Sequence, residues 1–212
     1  MAPPCRLFVI PARDVPVAAV IRRGPSRWYQ VIRWDTRRDE LTDGAWFKGR
    51  IYEERCDVSP DGELFVYFCH GGATRPGYKD SWTAVSRLPW LSALALWPAG
   101  TTYGGGGRFV DRRKLVLRNG TGDRPHPDHL PHGLDLVDGK AGRHGSRQVV
   151  DGADWSGYDC NRRLIFAQAG KLYRRSNGRD REIIDLNDRV PDPVAAPDWA
   201  TRPIGGRERS RR

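Results

Sequence analysis

Apolar and polar positions alternate over short stretches of this chain, and turn residues cut them apart. "SPDGELFVYF" (Ser59 to Phe68) is the clearest case. Pro60 presets φ for a tight turn, Asp61 and Gly62 accept the turn backbone, and "ELFVYF" then reads as a strand. "DWSGYDCNRRLIFAQAGKLYRRS" (Asp154 to Ser176) follows the same plan. A polar turn at Asp159 to Asn161 precedes "RLIFAQ", Ala169-Gly170 makes the next turn, and "KLYRRS" returns as the paired strand. Further strands are predicted at "AAVIRRG" (Ala18 to Gly24), at "WYQVIRWDTRRDEL" (Trp28 to Leu41) and over Lys114 to Arg118.

"SRLPWLSALALWP" (Ser86 to Pro98) breaks the pattern. Leu91, Leu94 and Ala95 fall at helical spacing between two prolines, but strand or irregular structure is the expectation. The first leucines of three predicted strands are Leu64, Leu115 and Leu164. They lie at near-equal steps of about fifty residues, a period that belongs to blade architectures. A blade is a small antiparallel sheet that cannot bury both faces alone, so neighbours must cover it. Trp34, Phe65, Val66, Leu115, Leu164 and Phe166 are the predicted core.

Two features carry a family resemblance. The strand ending in Trp34-Asp35, and the turn and strand of "SPDGELFVY", resemble the blades of WD-repeat propellers. The likeness covers the segments around 28–41, 56–68 and 154–175, and no Gly-His dipeptide stands at the usual earlier place. It implies an all-β fold, a propeller-like ring of about four small antiparallel sheets, and a role in binding proteins or peptides. A β-sandwich or barrel is the alternative arrangement. One β-rich domain is expected over residues 1–204.

Composition agrees with short strands. Hydrophobic residues make up only 38% of the 212, but eight Trp, seven Tyr and six Phe bury large areas, and 24 Gly and 16 Pro disfavour long helices. The longest apolar run, Trp90 to Ala99, is about half the ~20 residues that a membrane-spanning helix needs. Cys5, Cys56, Cys69 and Cys160 form no Cys-x-x-Cys pair, and no secretory signal opens the chain. Reduced, mostly buried thiols in a cytoplasmic protein are expected.

Lysine and arginine exceed the acids by 36 − 26 = 10, and nearly all the cations are arginine. Such a surface attracts polyanions. Part of the excess sits in "GGRERSRR" (205–212), where a disordered, solubilising tail is expected. "RRGPSRWYQVIRW" interleaves Arg22, Arg23, Arg27 and Arg33 with Trp28, Tyr29 and Trp34. This mixture can grip a phosphate backbone and stack bases. It also reads as a strand with arginines on a wet face and aromatics in the core, which is the favoured reading. Arg22, Arg23, Arg27, Trp28, Tyr29 and Arg33 are the candidate binding residues.

His126, His129 and His132 in "HPDHLPHG" have the chemistry of zinc ligands. Pro125, Pro127 and Pro131 extend the segment and point successive side chains apart, so a surface loop without metal is expected. "YGGGGRF" (Tyr103 to Phe109) lacks the Lys-Ser/Thr and following helix of a phosphate loop, and reads as a turn or close backbone approach. No Gly-x-Ser-x-Gly is present. The acidic pairs Glu53-Glu54 and Asp185/Asp188 read as strand-end or turn residues. No cofactor is expected. A recognition or scaffold module for a protein or peptide comes first, a nucleic-acid-binding protein second, and an enzyme with a loop-built active site third.

Overall fold

A computed structural model describes residues 3–24, 26–71, 76–118, 124–141 and 150–205. The fold is all-β. The first sheet is a four-stranded meander of β1 (Arg6–Pro11), β2 (Val17–Arg23), β3 (Trp28–Asp35) and β4 (Glu40–Lys48). The second holds β5 (Arg50–Ile51), β6 (Asp57–Val58), β7 (Leu64–His70), β8 (Ser81–Arg87) and β9 (Ala95–Pro98), with β5 and β6 both on the same edge of β7. The third is β10 (Gly107–Phe109), β11 (Lys114–Leu117) and β12 (Asp135–Leu136), in which the short β11–β12 pair is parallel. The fourth is the meander of β13 (Trp155–Tyr158), β14 (Leu164–Gln168), β15 (Lys171–Ser176) and β16 (Arg179–Asp185). None of these sheets closes into a barrel. Among the described residues helical structure is slight: a single 3-10 turn at Glu53–Arg55 and the four-residue α1 (Asp198–Thr201). Among the described residues no helix is long and apolar enough to cross a membrane.

The turns form for the reasons their sequences suggest. Ser59 O accepts from Gly62 N at 2.8 Å, Ser59 Oγ accepts from Leu64 N at 2.9 Å, and Gly62 sits at φ +71°. Ala169 and Gly170 take φ 50° and 78°, the two positive values that a tight hairpin between right-twisted strands demands. The glycine run is a close approach. At Gly105 (φ +90°) a Cβ would lie 2.1 Å from the Phe68 ring, and at Gly106 (φ +93°) 2.4 Å from Arg55 O.

Side-chain parity sorts the residues into apolar cores between successive sheets. On β2, Val17, Ala19 and Ile21 face the second sheet, while Ala18 and Val20 face the fourth. On β3, Tyr29 and Val31 take the first side, and Ile32 and Trp34 the other. The second sheet does the same: Phe65, Tyr67 and Cys69 meet the first sheet, Leu64 and Val66 the third. The third core also takes in Ile204, which ties the end of the described chain to the fold. Two sheets are thus covered on both faces, and this corrects the expected wet face of β3: from Tyr29 to Ile32 every side chain is buried. Leu164 is the other correction. It is half-buried, because β14 turns Ile165 and Ala167 to the core instead. Ser86–Pro98 is strand, then irregular chain, then strand.

Polar stitches cross the same boundaries. Buried Asp57 accepts from Phe109 N at 2.8 Å and joins the second sheet to the third. Arg22, 1% exposed, donates to Leu186 O at 2.7 Å, Asn187 O at 3.1 Å, Arg189 O at 3.0 Å, and Gly24 O. Arg174 donates to Asp39 at 2.9 and 2.5 Å, and Arg163 to Thr36 O at 2.7 Å. The last two run from the fourth sheet to the β3–β4 turn of the first.

Trp34→Ala is expected to cost ~3–5 kcal/mol in denaturant unfolding and Leu164→Ala about a third of that, because only Trp34 is fully enclosed. Arg22→Met is expected to cost about 3 kcal/mol despite its similar length, since it removes the guanidinium donor from three carbonyls of the segment that follows β16.

Candidate functional site

Two adjoining cavities lie where the β2–β3 turn, the end of β4 and the open ends of β7 and β8 meet. The first holds about 340 Å³ and is lined by Phe47, Tyr67, Tyr78, Lys79, Trp82, Leu91, Ala93, Leu96 and His129. Phe47 and Trp82 pack edge to face with centroids 6.1 Å apart. Tyr67 OH donates to Leu91 O at 2.7 Å, which pins the irregular stretch after β8 as the far wall. Phe47, Tyr78, Trp82 and Leu91 are each only partly buried, so a ligand would complete the enclosure of apolar side chains already fixed in place.

The histidine segment forms one side of this cavity. His126 N donates to Leu96 O at 2.8 Å and Leu96 N to His129 O at 3.1 Å, so the segment lies along β9. Contrary to the surface-loop expectation, His126 is 5% exposed, under the Tyr78 ring at 4.0 Å. His129 Nε2 and Tyr78 OH are hydrogen-bonded at 3.0 Å, and His129 Nδ1 meets Ala93 O at 3.0 Å. His132 is exposed. Both nitrogens of His129 are engaged by protein atoms, and among the described residues no three His, Cys, Asp or Glu side chains converge as a ligand set.

The second cavity, about 430 Å³, is lined by Arg23, Arg27, Tyr29, Gly49, Arg50, His70 and Gly71. Its cations come from four elements. Arg23 ends β2, Arg27 sits at φ 72° in the β2–β3 turn, and Arg50 and His70 face each other across the β5–β7 pair. Gly49 N donates to Arg27 O at 2.9 Å and holds the turn against β5. Gly49 and Gly71, which line this cavity, pack against rings of the first. A Cβ at Gly49 would strike the Phe47 ring at 2.6 Å, and one at Gly71 the Trp82 ring at 2.7 Å. Where the chain passes these rings only hydrogen fits.

Charge in this cavity is unbalanced. Arg23 and Arg27 have no carboxylate partner among the described residues, Arg50 lies 3.9 Å from Glu53, and His70 lies 3.4 Å from Asp80. Burial pushes the Glu53 carboxyl up, against the pull of Arg50 and Arg23. Tyr29 is 1% exposed, and burial, then Glu53, push its pKa up against the charges of Arg50 and Arg23 and a hydrogen-bonding pull from Arg50. Among the described residues its hydroxyl has no hydrogen bond of good geometry, and the Arg50 guanidinium is the neighbour that faces it.

Of the six candidate binding residues, Arg23, Arg27 and Tyr29 come together here. Arg22 is the internal clamp described above. Trp28 turns aside to Trp46, at 6.3 Å, with Lys48 over its ring at 5.8 Å. Arg33 lines a separate cavity beside Trp199 and Arg202. Arg50, His70, Phe47, Trp82 and Tyr78 were missed. Each lies in another strand or, for Tyr78, in the β7–β8 connection, and only the "FKGR" and "CHGG" stretches, in which glycine adjoins a basic residue, hint at a close approach. The cysteines are all free: Cys5, Cys56 and Cys69 are buried, and Cys160 is partly exposed. Burial pushes the Cys56 and Cys69 thiols well up, which makes them poor nucleophiles. Residues 206–212, most of the expected tail, lie outside the described residues.

Comparison with protein-family models, with curated proteins and with solved structures found no match.

Glu53 gives a pH-dependent outcome. Its folded pKa is raised, so the native state holds the proton to higher pH than the unfolded chain does. Its contribution to stability therefore declines as pH rises from the usual carboxylate range through the raised value. Glu53→Gln should be at least as stable as the wild type at pH 7, with a shallower loss between pH 4 and 7 in thermal melts. A variant less stable at pH 7 would contradict this.

Proposed function

We propose that this protein is a recognition module whose four sheets act as blades of a propeller-like ring, and that it binds a segment of another protein in the double cavity. The observation that carries the reading is the pairing of the pockets: an apolar, aromatic-walled pocket lies beside a pocket of three arginines, with Gly49 and Gly71 of the second packed against the Phe47 and Trp82 rings of the first. A peptide with a bulky apolar side chain near an acidic group matches both halves. The ring would lodge among Phe47, Trp82 and Leu91, and the anion among Arg23, Arg27 and Arg50. Tyr78 OH, held by His129, and Lys79 stand at the pocket as polar groups that can orient a peptide backbone.

Nucleic acid is the second reading, and the same groove favours it, since it sets stackable rings beside guanidinium groups. Against it stands the use of many arginines inside the fold, where Arg22, Arg163 and Arg174 bind protein oxygens rather than face solvent.

Selection of random displayed peptides on the intact protein tests the first reading. The enriched sequences should share an apolar residue within a few positions of an acid. Their affinity should fall about thirtyfold in Trp82→Ala, the ~2 kcal/mol of a hot-spot side chain. Trp82 also packs on Phe47, so Ala93→Phe, which fills the pocket instead of emptying it, should give a comparable loss with folding intact. Peptides that bind both variants as well as wild type would refute the site. Sub-micromolar single-stranded DNA binding with a steep salt slope would favour nucleic acid instead.

A further inference from the structure

We infer that the basic cavity is an oxyanion site, and that its ligand is the phosphate monoester of a phosphorylated side chain on the bound segment. Only the source of the phosphate rests on the peptide reading above; the anion site stands on its own geometry.

Three observations converge. Arg23, Arg27 and Arg50 reach one cavity from two sheets, and the first two have no carboxylate partner among the described residues. Guanidinium is the side chain best matched to phosphate, because its planar fork donates two parallel hydrogen bonds to two oxygens. Their convergence in the free protein is unfavourable by mutual repulsion, and a dianion would relieve it.

The Tyr29 ring is the second sign: it forms a wall of this cavity, and the Arg23 guanidinium lies over it at 6.0 Å, which holds that cation at the cavity. Third, Gly49 and Gly71, which line this cavity, pack against the Phe47 and Trp82 rings of the apolar one, so an anion carried on a segment with an apolar side chain would engage both. The opposing charges are Glu53, 3.9 Å from Arg50, and Asp80, 3.4 Å from His70. Glu53 is a weak competitor, since it is too far from Arg50 for a hydrogen bond and burial disfavours its charge.

Inorganic phosphate, titrated into the intact protein in low-salt buffer free of sulfate, is the first probe, followed by calorimetry or by ³¹P line broadening. Saturable one-site binding is expected, weakened at least about tenfold in Arg50→Ala, the loss of one charged hydrogen-bonding partner. Arg23→Ala should weaken phosphate binding by a similar factor, whereas Tyr29→Phe should change it less than about twofold, because the hydroxyl is sealed from the cavity. Glu53→Gln should tighten binding. Absence of saturable phosphate binding, or equal binding by wild type, Arg50→Ala and Arg23→Ala, overturns the site.

A second arm identifies the source. Peptides taken from the selection above and carrying phosphoserine, phosphothreonine or phosphotyrosine are compared with their unmodified forms and with adenosine monophosphate. A gain of tenfold or more for a phosphopeptide over its unmodified form, lost in Arg50→Ala, supports the proposal. Tighter binding of the nucleotide overturns the phosphopeptide source. The two readings separate cleanly: Ala93→Phe should abolish peptide binding yet leave inorganic phosphate bound, whereas Arg50→Ala does the reverse to phosphate.

Discussion

The burial of two sheets on both faces is the constraint from which the rest follows. A strand that faces water on one side needs apolar residues at every second position only. β2, β3 and β7 have to be apolar or sealed at nearly every position, and they are: Val17 to Arg22, Tyr29 to Ile32 and Leu64 to Cys69 are buried without a break. Odd and even residues then serve different cores, Val31 towards the second sheet and Ile32 towards the fourth. A chain with modest apolar content meets this demand by concentrating large rings at the sheet boundaries: Trp34, Phe65, Trp97 and Phe109 are all fully enclosed.

The arginine excess divides into two populations with different physics. One holds sheets together. Arg22, Arg163 and Arg174 spend their donors on carbonyls and carboxylates of neighbouring elements, where the fork of the guanidinium satisfies several buried acceptors at once. Chain segments that leave a strand at a sheet boundary have carbonyls that no ladder satisfies, and an arginine is long enough to reach them. The other population converges on a cavity without enough acid to balance it. That imbalance separates Arg23, Arg27 and Arg50 from the structural arginines around them.

The position of the double cavity follows from the same stacking. Phe47 and Trp82 belong to neighbouring sheets, and their edge-to-face contact closes the first core at its rim. The chain must pass directly over these rings as it crosses from β4 to β5 and as it leaves β7. Glycine at 49 and 71 is therefore required by packing.

The sequence by itself determined the local structure. The Pro60-Asp61-Gly62 turn, the Ala169-Gly170 hairpin, the tight passage at Gly105 and Gly106, and most strand positions follow from backbone sterics that act within a few residues. The all-β class and the division into four small sheets follow from the same punctuation. It also marked Arg23, Arg27 and Tyr29 as a group, since they lie within one hairpin. Only the tertiary structure decided which face of a strand is wet, because burial of β3 depends on a sheet more than a hundred residues away. It decided that Arg22 is a clamp, that Leu164 points outward, and that His126 lies buried under Tyr78. It also brought Arg50, His70, Phe47 and Trp82 to the candidate site. Their meeting depends on how separate sheets pack, and packing geometry is a sum over contacts distant in sequence, which no local pattern of residues encodes.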